Sequence, residues 1–451
     1  MCKKEKGITI IALIITIIVL LIIAGISVGA LTSNNSVIKR ANNAKETTEE
    51  AGIKEVLKES YVVTAGKNRR AIVTEEALQE EINKTYPEAE VAKEENKFIV
   101  LLNEKYYELD DDDGEIVGPK KFEKVDKNPG DITKDKDGNP LDGTTNPYEI
   151  WNIEDFVEFS RLVSITVGTN AVSDKPFGNK KVFIMRDLDF NSIFSYDNYK
   201  AKYSYNAENN AYEPDENSTT TIKELCTSNM GFIPIGETYD RLKKCFWGNF
   251  DGNNHTIKNL YIKTDKSAGL FGATGSASIK NITLEGTIIS TGSNHLASIN
   301  AIGHGSTFEN CHNRAKIINE GSGIASGIFG IGSGITVKNC TNEGEIISVN
   351  DSAFGISGTS GTIRLCKNTG NITGKNSASG ISGAGWGNGG RTIINCGNEG
   401  EITSLNGSAA GITGGGSSSK IYNCYNSGNV NAGTIGRSGG GVLGLTRNRT
   451  F

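Results

Sequence analysis

From Phe308 onward the hydrophobic residues fall in short β-branched runs bounded by glycine and asparagine, and the arrangement repeats five times. Each copy centres on a cysteine: Asn310-Cys311-His312-Asn313, Asn339-Cys340-Thr341-Asn342, Leu365-Cys366-Lys367-Asn368, Asn395-Cys396-Gly397-Asn398 and Asn423-Cys424-Tyr425-Asn426. Two and four residues further on stand a small residue (Ala315, Gly344, Gly370, Gly400, Gly428) and an aliphatic one (Ile317, Ile346, Ile372, Ile402, Val430). A second phrase keeps step, from Gly327-Ile328-Phe329-Gly330 to Gly441-Val442-Leu443-Gly444. Successive cysteines lie 29, 26, 30 and 28 residues apart, which is the spacing of a solenoid rather than of separate domains.

Such runs read as strands with tight bends, and none carries the 3.6 periodicity of a helix. Coils stacked at about 4.8 Å place like positions above one another. The aliphatic side chains then form interior columns, and Cys311, Cys340, Cys366, Cys396 and Cys424 stack as small buried hydrophobes. Asn313, Asn342, Asn368, Asn398 and Asn426 can join their amides in hydrogen-bonded ladders at the corners. The expected fold class is mainly β: a parallel β-helix (solenoid) over 147–444, preceded by an N-terminal transmembrane helix and a small pilin-like α+β stalk. A leucine-rich horseshoe is excluded because its Leu-x-x-Leu-x-Leu pattern is missing.

Ahead of the repeats the pattern changes. A basic leader, residues 1–7, precedes an uncharged apolar run of 24 residues from Ile8 to Leu31. That length spans a bilayer, and the leading lysines hold the N-terminus on the cytoplasmic side, so the bulk of the chain is expected outside the cell. Residues 32–118 read as the stalk. An amphipathic helix runs from Asn34 to about Tyr61, Thr74 caps a second helix, and Phe98–Leu102 pairs with Lys105–Leu109 as a hairpin. Residues 119–146 read as a polar linker. Asn152 then caps a helix through Val163 whose apolar side (Ile153, Phe156, Val157, Leu162, Val163) suits a plug for the open end of a β-helix. After the last coil only a tail, 445–451, follows without a capping helix, which predicts either a longer parent chain or a partner stacked on the C-terminal coil.

Composition agrees with a thin core: 55 glycines, 8 prolines and 37% hydrophobic residues. A net charge of −5 points away from nucleic acid. No cysteines lie at Cys-x2-4-Cys spacing, so neither a metal nor another cofactor is implied. Cys226 and Cys245 are the one pair compatible with a disulfide in an exported chain. Asp135-Lys136-Asp137-Gly138 resembles the start of a calcium loop, but the EF-hand frame puts Thr133 and Thr144 at the first and last ligand positions, which favours a solvated turn.

Two resemblances add to these readings. The basic stretch ending in Gly7, followed by Ile8-Thr9-Ile10-Ile11-Ala12-Leu13, resembles the prepilin-type leader of type IV pilin-like proteins of Gram-positive bacteria. It implies cleavage after Gly7 and methylation of Ile8. Ala12 stands where fibre-forming pilins carry glutamate, so anchoring is implied and a pilus is not. An uncleaved signal anchor and a secretory signal cut after Ala30 remain alternatives. The phrases Phe232-Ile233-Pro234-Ile235-Gly236, Phe246 to Leu260 and Gly269-Leu270-Phe271-Gly272, together with the repeats, resemble GLUG-repeat surface proteins of Gram-positive bacteria. The β-helical repeats of that family also occur in the non-catalytic part of IgA-specific metallopeptidases. This second resemblance implies an extracellular scaffold over 147–444. Peptidase activity is not implied, because the sequence has no His-Glu pair and His255, His295, His304 and His312 lack zincin spacing.

The expected function is therefore non-enzymatic adhesion or ligand binding at the cell surface, with a host, matrix or cell-wall polysaccharide as the candidate partner. A pilin-like assembly subunit is one alternative. A carbohydrate-active enzyme is the other, since Glu343/Glu345 and Glu399/Glu401 lie two coils, about 9.6 Å, apart, near the upper end of an inverting carboxylate pair. Contact with a ligand is expected in the insertion between Asn191 and Met230, through Tyr196, Tyr199, Tyr203, Tyr205 and Tyr212. The competing reading lays those tyrosines back on the solenoid.

Overall fold

The computed structural model describes residues 37–67, 73–94, 97–102, 105–111, 113–121, 130–165, 175–191, 202–206, 211–227, 231–236, 244–359, 361–383, 391–414, 419–433 and 439–442. Gly7, Ile8, the apolar run 8–31 and the tail 445–451 lie outside them. Among the described residues no helix is long and apolar enough to cross a membrane. The chain divides into two compact units, Met1–Glu123 and Lys124–Phe451.

The first unit places helices α1 (Val37–Lys67) and α2 (Glu75–Ile82) with a four-stranded antiparallel sheet, β1 (Glu90–Glu94), β2 (Lys97–Leu102), β3 (Lys105–Asp110) and β4 (Ile116–Lys121), in sequence order. Ile53, Leu57 and Tyr61 recur at helical spacing and bury against Phe98, Val100, Leu102, Tyr107 and Leu109 of the sheet. Thr74 caps α2 by accepting from the Ala77 amide at 3.3 Å, with Glu75 and Glu76 in the favourable first turn. Leu102 faces Lys105 across the hairpin.

In the second unit every coil contributes strands that pair in parallel with the coils before and after it, and one face alone is a six-stranded parallel sheet. One interior column runs Val182, Phe250, Ile279, Phe308, Val337, Ile363, Ile393, Ile421. A second runs Ile262, Ile288, Ile317, Ile346, Ile372, Ile402, Val430. Burying each such side chain contributes about 1.5–3 kcal/mol against an exposed reference. Between these columns stands a third, Leu188, Ile257, Leu284, Asn313, Asn342, Asn368, Asn398, Asn426, which changes from aliphatic to amide where the repeats begin. Each of these amides from Asn313 to Asn398 donates to the Oδ1 of the next coil's asparagine, at 2.6–2.7 Å.

The small-residue slot beside that ladder follows from close approach. A Cβ on Gly370 would sit 2.1 Å from the Gly344 carbonyl oxygen and 2.8 Å from the Asn342 amide, so no larger residue fits once the amides are bonded. At the outer corner a different column, Asn281, Asn310, Asn339, Asn395 and Asn423, takes the left-handed conformation with φ of 50–55°. Asparagine tolerates that region better than other side chains. Asn339 donates to Asn310 at 3.2 Å and Asn423 to Asn395 at 2.8 Å. Leu365 occupies the same slot with φ 56° and half its surface exposed, interrupting the amide row. Leu365→Asn is expected to raise the stability of the solenoid by about 1 kcal/mol, read as a higher urea midpoint at unchanged slope; a lower midpoint would show that the leucine packs usefully where it is.

Helix α3 (Ile153–Ile165) closes the N-terminal end of the solenoid. Asn152 Oδ1 accepts from the Asp155 amide at 2.8 Å, and Asp155 in turn accepts from the amides of Gly130 and Trp151 at 2.7 and 2.9 Å. Phe156, Val157, Phe159 and Val163 are buried in the solenoid core. Phe159, absent from the apolar stripe read from the sequence, is the centre of the plug: its ring meets those of Phe177, Phe246, Phe250 and Phe271 at centroid distances of 5.1–6.5 Å. The tract 119–146, read as a linker, is ordered over its described parts. Lys121 ends β4, and from Gly130 the chain lies on the solenoid, with Ile132 buried in its core. Aspartates fold this tract into turns: Asp135 accepts from the amides of Asp137 and Asn139, and Asp142 from those of Thr144 and Asn146.

Candidate functional site

The cysteines sort by burial. Cys226 and Cys245 are both buried and unbridged, so the disulfide expected between them is not formed. Helix α4 (Ile222–Thr227) turns the Cys226 sulfur toward the Tyr212 hydroxyl, 3.9 Å away. In the repeats the sulfurs of Cys340, Cys366, Cys396 and Cys424 each donate to the carbonyl two residues back, at 3.2–3.3 Å. Burial pushes the Cys340 and Cys366 thiols well up; Cys396 is raised to about 12, chiefly by its bond with Cys366, and Cys245 to about 12 by burial. Only the thiolate reacts. All six of Cys226, Cys245, Cys311, Cys340, Cys366 and Cys396 are buried out of a reagent's reach, so in the folded protein at pH 8 iodoacetamide is expected to spare them on a timescale that alkylates all of them in guanidinium. Peptide mass spectrometry checks this, and a Cys226–Cys245 peptide pair recovered without reductant would contradict it.

The tyrosine insertion splits. Tyr196 and Tyr199 lie outside the described residues. Tyr203 and Tyr212, expected as ligand contacts, are instead buried in the solenoid core; in the hairpin of Tyr203–Asn206 with Ala211–Pro214 they share one face with Tyr205, the register partner of Tyr212. The Tyr203 hydroxyl donates to Glu158 at 2.8 Å, and Arg161, bidentate on that carboxylate, lies 5.9 Å from the tyrosine ring centroid. The Tyr212 hydroxyl accepts from the Ile233 amide at 3.0 Å. Burial raises both phenols. Tyr205 is the described member that remains at the surface.

On the outer faces charges meet across coils. Asp251 pairs with Lys280 at 3.1 Å and Glu309 with Lys338; Arg314 bridges Glu285 and Glu343 at 3.2 and 3.0 Å; Lys316 pairs with Glu345 at 2.8 Å. The carboxylates weighed as a catalytic pair are absorbed in this way. Glu399 takes Lys367 at 3.0 Å and the Tyr425 hydroxyl at 2.8 Å, which hold its carboxyl below the usual range, and Glu401 accepts from Asn431 at 2.7 Å. Exposed pairs of this kind add little stability. Their effect is to neutralise the face, leaving a hydroxyl column, Thr307, Thr336, Thr362 and Thr392, beside the exposed asparagines.

Among the described residues a concavity breaks this regular surface. A cleft of about 480 Å³ lies where the first long strands turn a corner. Its walls are Asn259 and Tyr261 from one coil and Thr287 from the next, with Asn191 and Thr227 closing it from neighbouring segments. Its floor is Leu260 against Gly286, whose φ of 135° and whose contact with the Leu260 carbonyl, 2.1 Å from where a Cβ would stand, leave no room for a side chain. The Asn259 amide is oriented by Asp189, to which it donates at 2.8 Å. None of these residues was singled out from the sequence as a binding residue. The single legible signal was an extra residue: Lys258 fills the slot of Glu285, Arg314 and Glu343, and Asn259 is inserted between it and Leu260, where the next coil passes directly from Glu285 to Gly286. Among the described residues no group of three His, Cys, Asp or Glu could hold a metal ion.

The fold defines a β-solenoid protein, mainly β, built as a parallel β-helix. No protein-family model matches the chain, so the GLUG-repeat resemblance rests on the phrases quoted above. A stretch of 108 residues, 23% of the chain, is 32% identical to halomucin of Haloquadratum walsbyi and spans 1% of halomucin's length. A crystal structure from Bacteroides ovatus, named as an immunoglobulin A1 protease, is similar over 66% of this chain and 86% of its own, at 17% identity and a TM-score of 0.43.

Proposed function

We propose that the protein is a non-enzymatic β-helical scaffold that presents its coil faces to an extended ligand, a host, matrix or cell-wall polysaccharide, at the surface of a Gram-positive bacterium. The observation that carries this reading is the cross-coil neutralisation of the outer carboxylates. Glycoside cleavage by a carboxyl pair needs one member kept protonated near neutral pH, whereas Lys367 and Tyr425 hold Glu399 ionised. What the face offers instead is a periodic, nearly neutral array of amides and hydroxyls, suited to many weak hydrogen bonds along a repeating partner. In a panel of polysaccharides incubated with the purified protein, retention without new reducing ends is expected. Release of reducing ends that Glu399→Gln abolishes would replace the scaffold with an enzyme.

The apolar run 8–31 supplies the membrane anchor in this proposal, with Gly7 and Ile8 as the processing site. Protein recovered from its host membrane is expected to begin at Ile8. A first residue of Leu31 would mean release from the membrane, and Met1 an uncleaved signal anchor.

A further inference from the structure

We infer that the cleft at Tyr261 is a subsite for one neutral sugar residue of an extended glycan; the inference rests on the scaffold reading and adds to it a place and a ligand class. Its size lies within the range of about 300–1,000 Å³ typical of small-ligand pockets. Its described lining suits a polyol: the Tyr261 ring for the apolar C–H face, the Asn259 amide held by Asp189 and the Thr287 hydroxyl, with Asn191 and Thr227 at the rim.

Three features separate this corner from those of the following coils. First, none of its described lining residues is charged, while one coil further on Lys316 and Glu345 pair across the same corner. Thr287 stands in register with Lys316, so the cleft is open where the next coil projects a lysine. Second, the parallel pairing of the two coils shifts register between Ile257 and Leu260, which turns Asn259 out of the ladder at a φ of 55°. Third, the walls are held before any ligand arrives. The Tyr261 carbonyl accepts from the Phe232 amide at 2.8 Å, Gly231 bridges to Ile262 beside it, and Asp189 fixes Asn259. A rigid aromatic beside a fixed amide binds at low entropic cost.

The test is calorimetric titration of the full chain with neutral cello-, manno- and chito-oligosaccharides and, as the charged counterpart, oligogalacturonate. Binding of a neutral oligosaccharide is expected, weakened about tenfold or more by Tyr261→Ala and largely kept by Tyr261→Phe, since the ring face and not the hydroxyl makes the contact. Thr287→Lys should close the cleft as the next coil does, abolishing binding while leaving the melting temperature near that of the parent. Equal affinity of the parent, Tyr261→Ala and Thr287→Lys for the same glycan overturns the subsite and leaves the scaffold reading standing. Binding of oligogalacturonate alone overturns the neutral-sugar assignment. No binding of any oligosaccharide by the parent also overturns it, and the scaffold reading is then judged separately by polysaccharide retention.

Discussion

Asn368→Ala is expected to cost the solenoid about 3–5 kcal/mol, because a buried donor or acceptor left without a partner forfeits about 1–3 kcal/mol. Asn368 sits mid-ladder with no exposed surface. It accepts from Asn342 at 2.6 Å and donates to Asn398 at 2.7 Å and to its own coil's Gly370 carbonyl at 2.9 Å. Alanine leaves the Asn398 Oδ1 and the Gly370 carbonyl unpaired and takes one of two acceptors from Asn342, which keeps the Gly344 carbonyl. Hydrogen bonds in series also strengthen one another in a low-dielectric interior, so the loss spreads to neighbouring coils. The control is Asn310→Gly in the outer amide row, where water can replace its bonds with Asn254, Asn281, His312 and Asn339 and glycine keeps the left-handed backbone; its effect should stay within about 1 kcal/mol. Urea midpoints at constant slope compare the two, and similar small shifts for both would mean that the buried amides do not hold the coils together.

Phe159→Ala is the second large effect, also about 3–5 kcal/mol, the usual range for emptying a phenylalanine site in a core. The ring lies stacked on Phe250, with interplanar angle 18°, edge-on to Phe177, Phe246 and Phe271 and tilted against Phe156, so its removal opens a cavity shared by five aromatic partners. Its position at one end gives the loss a direction. Solenoid stability is close to a sum of nearest-neighbour terms, so amide exchange should quicken first in the strands at 181–184 and 249–264 and last in the coils from 361 to 414. Uniform loss of protection along the solenoid would show one cooperative unit and a different role for the plug.

The repeats were readable because a solenoid turns sequence periodicity into spatial neighbourhood. Cys340 meets Cys311 and Cys366, and Asn342 meets Asn313 and Asn368, for the same reason that they occupy equal slots of the repeat. Where the period fails, so did the reading. The insertion's tyrosines alternate with polar residues, and alternation says that a strand has two faces without saying which one is inward; Tyr203 and Tyr212 turned to the core. Nor did the pattern reveal that Leu188, Ile257 and Leu284 continue the asparagine column, since their segments carry no Asn-Cys phrase. The polar tract around Ile132 read as a linker because one buried isoleucine among charged residues leaves no periodic trace.

By itself the chain determined a stacked coil, the identity of its interior columns and the small-residue slot beside the amide ladder, all consequences of short-range steric fit repeated at a fixed interval. Tertiary structure alone decided that Glu399 meets Lys367 from a non-equivalent slot, and where a hollow opens at Tyr261. Those outcomes depend on side chains from non-equivalent segments meeting across one rung, a distance that no repeat length encodes.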